Sequence, residues 1–116
     1  MQQIQYSHKA IDGAEIVTLS GRLMQADTTQ LRDILKQLIK QNHFVVINMS
    51  GLNFIDSSGL SVLISAFKYA RESAGNVVLL QLTPAVRSLI ELTRLHQVFD
   101  IFDDETQAIA KAKAKI

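Results

Sequence analysis

Apolar and polar positions along this chain change period at short intervals, and the changes predict strands alternating with helices. From Gln2 to Ala10, Ile4, Tyr6 and His8 alternate with Gln5, Ser7 and Lys9, the period of two expected of a half-buried strand. Asp12-Gly13 is a tight-turn dipeptide, so Glu15 to Ser20 is expected to return beside the first strand as a β-hairpin, closed by Gly21. Asp27 then stands three residues before Gln30, a capping-box arrangement ahead of Leu31, Ile34, Leu35, Leu38 and Ile39 at helical spacing. That helix ends near Lys40 to Asn42. Phe44 to Asn48 is apolar on both faces, which predicts an interior strand covered by helices. A polar connection leads from it to a helix, Ser58 to Ala74, with Leu60, Leu63, Ile64, Phe67 and Ala74 on one face and Ser61, Ser65, Lys68 and Glu72 opposite. Gly75-Asn76 ends this helix, and Val77 to Leu82 is a second interior strand, parallel to the first through a right-handed crossover. Thr83-Pro84 starts a short helix with Val86, Leu89, Ile90 and Thr93 as its buried stripe. Val98 to Phe102 adds a last short strand, and Asp103, Asp104 and Glu105 open a terminal helix through Ile109 and Ala112.

This order describes an α/β domain. With 116 residues, 47% of them hydrophobic, and one proline, residues 1–116 fit a single domain able to bury roughly two thirds of its unfolded surface. No apolar run approaches the ~20 residues of a membrane helix and no signal pattern opens the chain, so a soluble, cytoplasmic protein without membrane insertion is expected. The absence of cysteine removes disulfides and thiolate chemistry. Twelve basic and eleven acidic residues are mixed along the chain, which leaves no electrostatic footprint for nucleic acid. Lys111, Lys113 and Lys115 read as a solvated helix end matched to the helix dipole. No large apolar stripe is left over once the core is assigned, so a monomer is expected.

The candidate chemistry gathers at Asp56, Ser57, Ser58 and Gly59, just before the apolar face of the second helix. An acid and two hydroxyls there suit the free N–H groups of a first helical turn, and two hydroxyls are one more than a cap needs. A helix start also tolerates phosphate, because its amides are free and its dipole is positive there. Plain capping and a regulated serine both stand on these residues alone. A serine-hydrolase reading needs a histidine partner, yet IDSSGL is no G-x-S-x-G elbow and His8, His43 and His96 are all distant in sequence. Ser65 to Lys68 matches S-x-x-K with neither companion element, and no phosphate-binding glycine loop is present. The isolated histidines form no metal-ligand pair. Neither a metal nor a cofactor is expected.

The run NMSGLNFIDSSGLSVLISAFKYA, Asn48 to Ala70, resembles the STAS domain and, within it, the stand-alone bacterial anti-sigma factor antagonists. Leu19-Ser20-Gly21-Arg22-Leu23, Thr83-Pro84-Ala85-Val86 and Leu92-Thr93-Arg94-Leu95 extend the resemblance over nearly the entire chain. It implies a mixed sheet of about four strands flanked by four α-helices. It also implies partner switching without catalysis by this chain. Ser57 maps onto the serine that an anti-sigma factor serine kinase phosphorylates, with Asp56, Ser58 and Gly59 beside it at the docking surface. The unphosphorylated form would bind that kinase and free a sigma factor, and a metal-dependent serine phosphatase would reset it. Met24 departs from the pattern, since many antagonists carry aspartate there. The alternative within the fold is an accessory subunit of a membrane lipid-transport complex, binding its partner without phosphorylation.

Overall fold

Two apolar runs, Phe44–Ile47 and Val77–Leu80, lie side by side at the centre of a five-stranded sheet and are covered from both faces. The computed structural model describes residues 4–114; Gln2 and Gln3 of the expected first strand and Lys115 of the expected lysine cluster lie outside the described residues. Strands β1 (Gln5–Ile11), β2 (Ala14–Leu23), β3 (Phe44–Ile55), β4 (Asn76–Leu80) and β5 (Ile101–Phe102) are in spatial order 1-2-3-4-5. The β1–β2 hairpin is antiparallel and every later pairing is parallel. The helices are α1 (Thr28–Gln41), α2 (Ser57–Glu72), α3 (Pro84–Leu92) and α4 (Glu105–Lys113).

Alternate strand residues serve opposite layers, as a period of two requires. Val17, Leu19, Val45, Ile47, Val77 and Leu79 join one core with the buried residues of α1, α2 and α3. Ile16, Val46, Val78 and Leu80 join a smaller core with Ala108, Ile109 and Ala112 of α4. The sheet is therefore covered by three helices on one side and by one on the other. The small residues of α4 let it lie close to the strands.

The sheet has five strands where the resemblance implied about four; the last short strand expected over Val98 to Phe102 is there but is confined to β5, the two residues that pair with Leu79 and Leu80. Strand β1 alternates in sequence, but Gln5 to Ala10 are all exposed, because β1 is the sheet edge and the helices do not reach over it. Gly21 does not close the hairpin. It sits at one of two register shifts within β2, which runs on to Leu23. The polar stretch after Asn48, expected as a connection, is the second half of β3: Gly51, Leu52, Phe54 and Ile55 pair with β2, which satisfies their backbone groups. Strand β4 stops at Leu80, leaving Leu82 beyond it. Ala74 and Thr93, both expected to be buried, are exposed just past the ends of α2 and α3. Thr93 Oγ1 donates to the carbonyls of Leu89 and Ile90 there.

Asp27 is also placed differently from the expected capping box. Its carboxylate makes no cap bond to α1 and is 7% exposed; Oδ1 accepts from the Ile4 amide and Oδ2 from the Met24 amide, both at 3.2 Å. It joins the start of the described chain to the end of β2. Asp27→Ala leaves these amides without their acceptor, and a buried unpaired donor costs about 1–3 kcal/mol. Urea denaturation is expected to show a loss of that size, with Asp27→Asn, which keeps one oxygen acceptor, losing less.

Candidate functional site

The end of β3 and the start of α2 meet in one turn. Ile55 closes the strand in the core, and Asp56 leaves it in extended conformation (φ −103°, ψ −177°) as the N-cap of α2. Asp56 Oδ1 accepts from the Gly59 amide at 2.8 Å, which caps the helix. Oδ2 accepts from the Gln25 amide at 3.2 Å, and the Asp56 amide donates to the Leu23 carbonyl at 3.2 Å. One aspartate thus caps α2 and fastens it to the chain leaving β2.

Because Asp56 performs the cap, the hydroxyls of Ser57 and Ser58 are not needed for it. Ser57 is the first residue of α2 and is exposed, while Ser58 is half-buried. The Ser57 carbonyl accepts from Ser61 Oγ at 3.1 Å, one turn further on. Gly59 is buried, and its lack of a side chain is a packing requirement. A Cβ there would lie 2.7 Å from Ile55 Cγ1, 2.8 Å from Leu23 Cγ and 2.9 Å from the Leu23 carbonyl oxygen. The first turn of α2 is pressed onto the end of β2. This brings Met24, far away in sequence, to the same end of the molecule as Asp56, Ser57, Ser58 and Gly59; it is 38% exposed and precedes the residue whose amide binds Asp56.

An exposed hydroxyl at a helix N-terminus, beside a carboxylate already held by two amides, can accept a phosphoryl group without loss of the cap. The histidines are placed elsewhere. His8 pairs with Glu15 at 2.7 Å across the hairpin, His43 Nδ1 lies 2.9 Å from the Ile39 carbonyl, and His96 is in the turn after α3. None is on an element that forms the site, so Ser57 and Ser58 have no histidine base there.

Three participants escaped the sequence reading. The Gln25 amide acts through the backbone, which carries no residue-type signal. Arg22 and Phe54 are paired neighbours on β2 and β3, with the guanidinium 4.9 Å from the ring centroid. Both are exposed beside the site. Their signal lay in the apolar residues Leu52 and Ile55, which continue β3 past its polar middle.

Residues 5–108 match the STAS domain. The anti-sigma F factor antagonist of Paenibacillus polymyxa is 29% identical over 111 residues, which span 94% of this chain and 93% of that protein. Among solved structures, an anti-sigma factor antagonist from Mycobacterium paratuberculosis aligns over 97% of this chain and 96% of its own, with TM-score 0.82 and 22% identity. The anti-sigma factor antagonist SpoIIAA in its unphosphorylated form aligns over 97% and 99%, with TM-score 0.80 and 22% identity. In its phosphorylated form, described as a Bacillus cell fate determinant, SpoIIAA aligns over 94% and 100%, with TM-score 0.72 and 21% identity.

Proposed function

The chain belongs to the STAS domain family, and from that premise we propose that it is an anti-sigma factor antagonist whose partner binding is switched by phosphorylation of Ser57. The observation that carries this reading is the division of labour at the start of α2: Asp56 caps the helix through Oδ1 and holds the Gln25 amide through Oδ2, and the neighbouring Ser57 hydroxyl stays exposed. A relative known in both unphosphorylated and phosphorylated forms supports it.

In this reading an anti-sigma factor serine kinase docks over Ser57, Ser58 and Met24. The Ser57 oxygen attacks the γ-phosphorus of the kinase's ATP; its proton passes to a base on the kinase, and ADP leaves. A metal-dependent serine phosphatase hydrolyses the phosphoserine and restores the hydroxyl. Gly59 and Asp56 hold the acceptor in place, and the exposed Met24 offers the kinase an apolar contact. The chain is a substrate and a binding partner.

The test is intact mass and phosphopeptide mapping of the protein from its native cells under phosphatase inhibition. A single phosphate on Ser57, absent from Ser57→Ala, is the expected result. Unmodified protein across growth and stress conditions would reject the switch and favour a constitutive adaptor of a membrane lipid-transport complex.

A further inference from the structure

An open groove of about 320 Å³ runs between α1 and α2, lined by Arg32, Asp33 and Lys36 on one side and by Lys68, Tyr69 and Glu72 on the other. Val62 and Ala66 add an apolar part to its lining. The groove lies along the face of α2 that begins at Ser57: Ser57, Ser61, Ser65, Lys68 and Glu72 follow one another there at spacings of three and four. From Ser57 to Ser65, the first of these residues to line the groove, is about 12 Å along the helix axis at ~1.5 Å per residue. Arg32, Lys36 and Lys68 are exposed, and none has a carboxylate within 4.0 Å among the described residues. Lys36 Nζ is held 5.3 Å from the Tyr69 ring centroid, at the groove wall. Three cations against two carboxylates leave the groove with net positive charge, arranged around an apolar strip.

We propose that this groove receives an acidic, partly apolar segment of the same anti-sigma factor kinase that reads Ser57, an inference that rests on the switch reading above. Carboxylates of that segment meet Arg32, Lys36 and Lys68, and an apolar side chain covers Val62 and Ala66. The groove and Ser57 then have different duties. Lys68, eleven residues on from Ser57 in α2, is about 16 Å away along the axis at ~1.5 Å per residue, beyond the Debye length of about 8 Å at physiological ionic strength, so phosphorylation acts first on the contact at the helix start and leaves the contact at Lys68 in place. The groove steers and anchors the partner, and Ser57 decides whether docking is completed.

The experiment measures association with the purified anti-sigma factor kinase by stopped flow, at low and at physiological salt, in Ser57→Ala protein. Adding Arg32→Glu and Lys36→Glu is expected to slow association about tenfold at low salt and to flatten its salt dependence. Lys68→Glu, on the other wall, acts in the same direction. A control with the same charge change on other elements, Lys9→Glu with Lys111→Glu, is expected to stay within about twofold of the parent. Equal slowing by the groove pair and the control pair overturns the groove and leaves the switch standing. A kinase that fails to bind the parent Ser57→Ala protein overturns the switch reading, and the groove assignment with it.

Discussion

Ser57→Asp is expected to lower affinity for the anti-sigma factor kinase by up to about three decades, while Ser57→Ala binds as tightly as unphosphorylated wild type. Both substitutions are compatible with the fold. Ser57 is exposed at the first position of α2, the cap belongs to Asp56, and an acid in a first helical turn is favoured by the helix dipole. The loss must therefore arise at the interface. One like-charge pair at 4 Å in an effective dielectric near 20 costs about 4 kcal/mol, which is roughly three decades at about 1.4 kcal/mol per decade. Phosphate itself adds about −1.5 to −2 charges at neutral pH, so the natural modification acts at least as strongly as the aspartate. A large conformational change is not needed for release. Calorimetric titration of the kinase against the two variants checks this, and equal affinities would sink the electrostatic mechanism. Equal melting temperatures for both variants and the wild type are required before the titration is read this way.

What the residues revealed in advance follows from how completely each segment is buried. Phe44–Ile47 and Val77–Leu80 are covered on both faces, so an apolar run was a faithful signal of an interior strand. The second half of β3 was not legible, because no helix covers the face that Ser50, Asn53 and Phe54 present, and a half-solvated strand with two register shifts has the composition of a loop. Strand β1 misled in the opposite direction: alternation implied a buried face, but an edge strand without a helix above it has none. At the site, the presence of a cap was legible from an acid and two hydroxyls before an apolar helix face, but not that Asp56 rather than Ser57 or Ser58 makes it. The clasp from Asp56 to Gln25 was not legible either, since its donor is a backbone amide brought there by the parallel pairing of β2 and β3. Asp27 shows the ambiguity of residue type alone. An aspartate ahead of a helix reads as its cap, and here the same carboxylate turns inward to bind two amides of other segments.

Gly75→Ala is expected to destabilise the fold by at least about 4 kcal/mol, a size reserved for a few named mechanisms, and the reason is not the one that its place after a helix suggests. A glycine following α2 reads as the left-handed residue that ends the helix. The left-handed residue is Ala74, with φ 61°; its amide donates to the Arg71 carbonyl and the Gly75 amide donates to the Ala70 carbonyl, the paired bonds of a Schellman ending shifted by one position. Gly75 is glycine because β3 passes against it. A Cβ there would stand 2.0 Å from the His43 carbonyl oxygen and 2.7 Å from its carbonyl carbon, and backbone cannot swing aside as a side chain can. Relief requires parting the starts of β3 and β4, which costs the bond from the Asn76 amide to the His43 carbonyl and disturbs the buried strands beyond it. Against a total of about 5–15 kcal/mol for a domain, a loss of this size leaves much of the protein unfolded at modest urea. Ala74→Gly, one residue earlier, separates the two explanations. It removes the cost of a left-handed β-carbon and is expected to stabilise by about 1 kcal/mol. Urea denaturation of both variants decides: opposite signs place the glycine requirement at the strand contact, and a mild effect of Gly75→Ala would show that β3 and β4 are less tightly joined than this geometry requires.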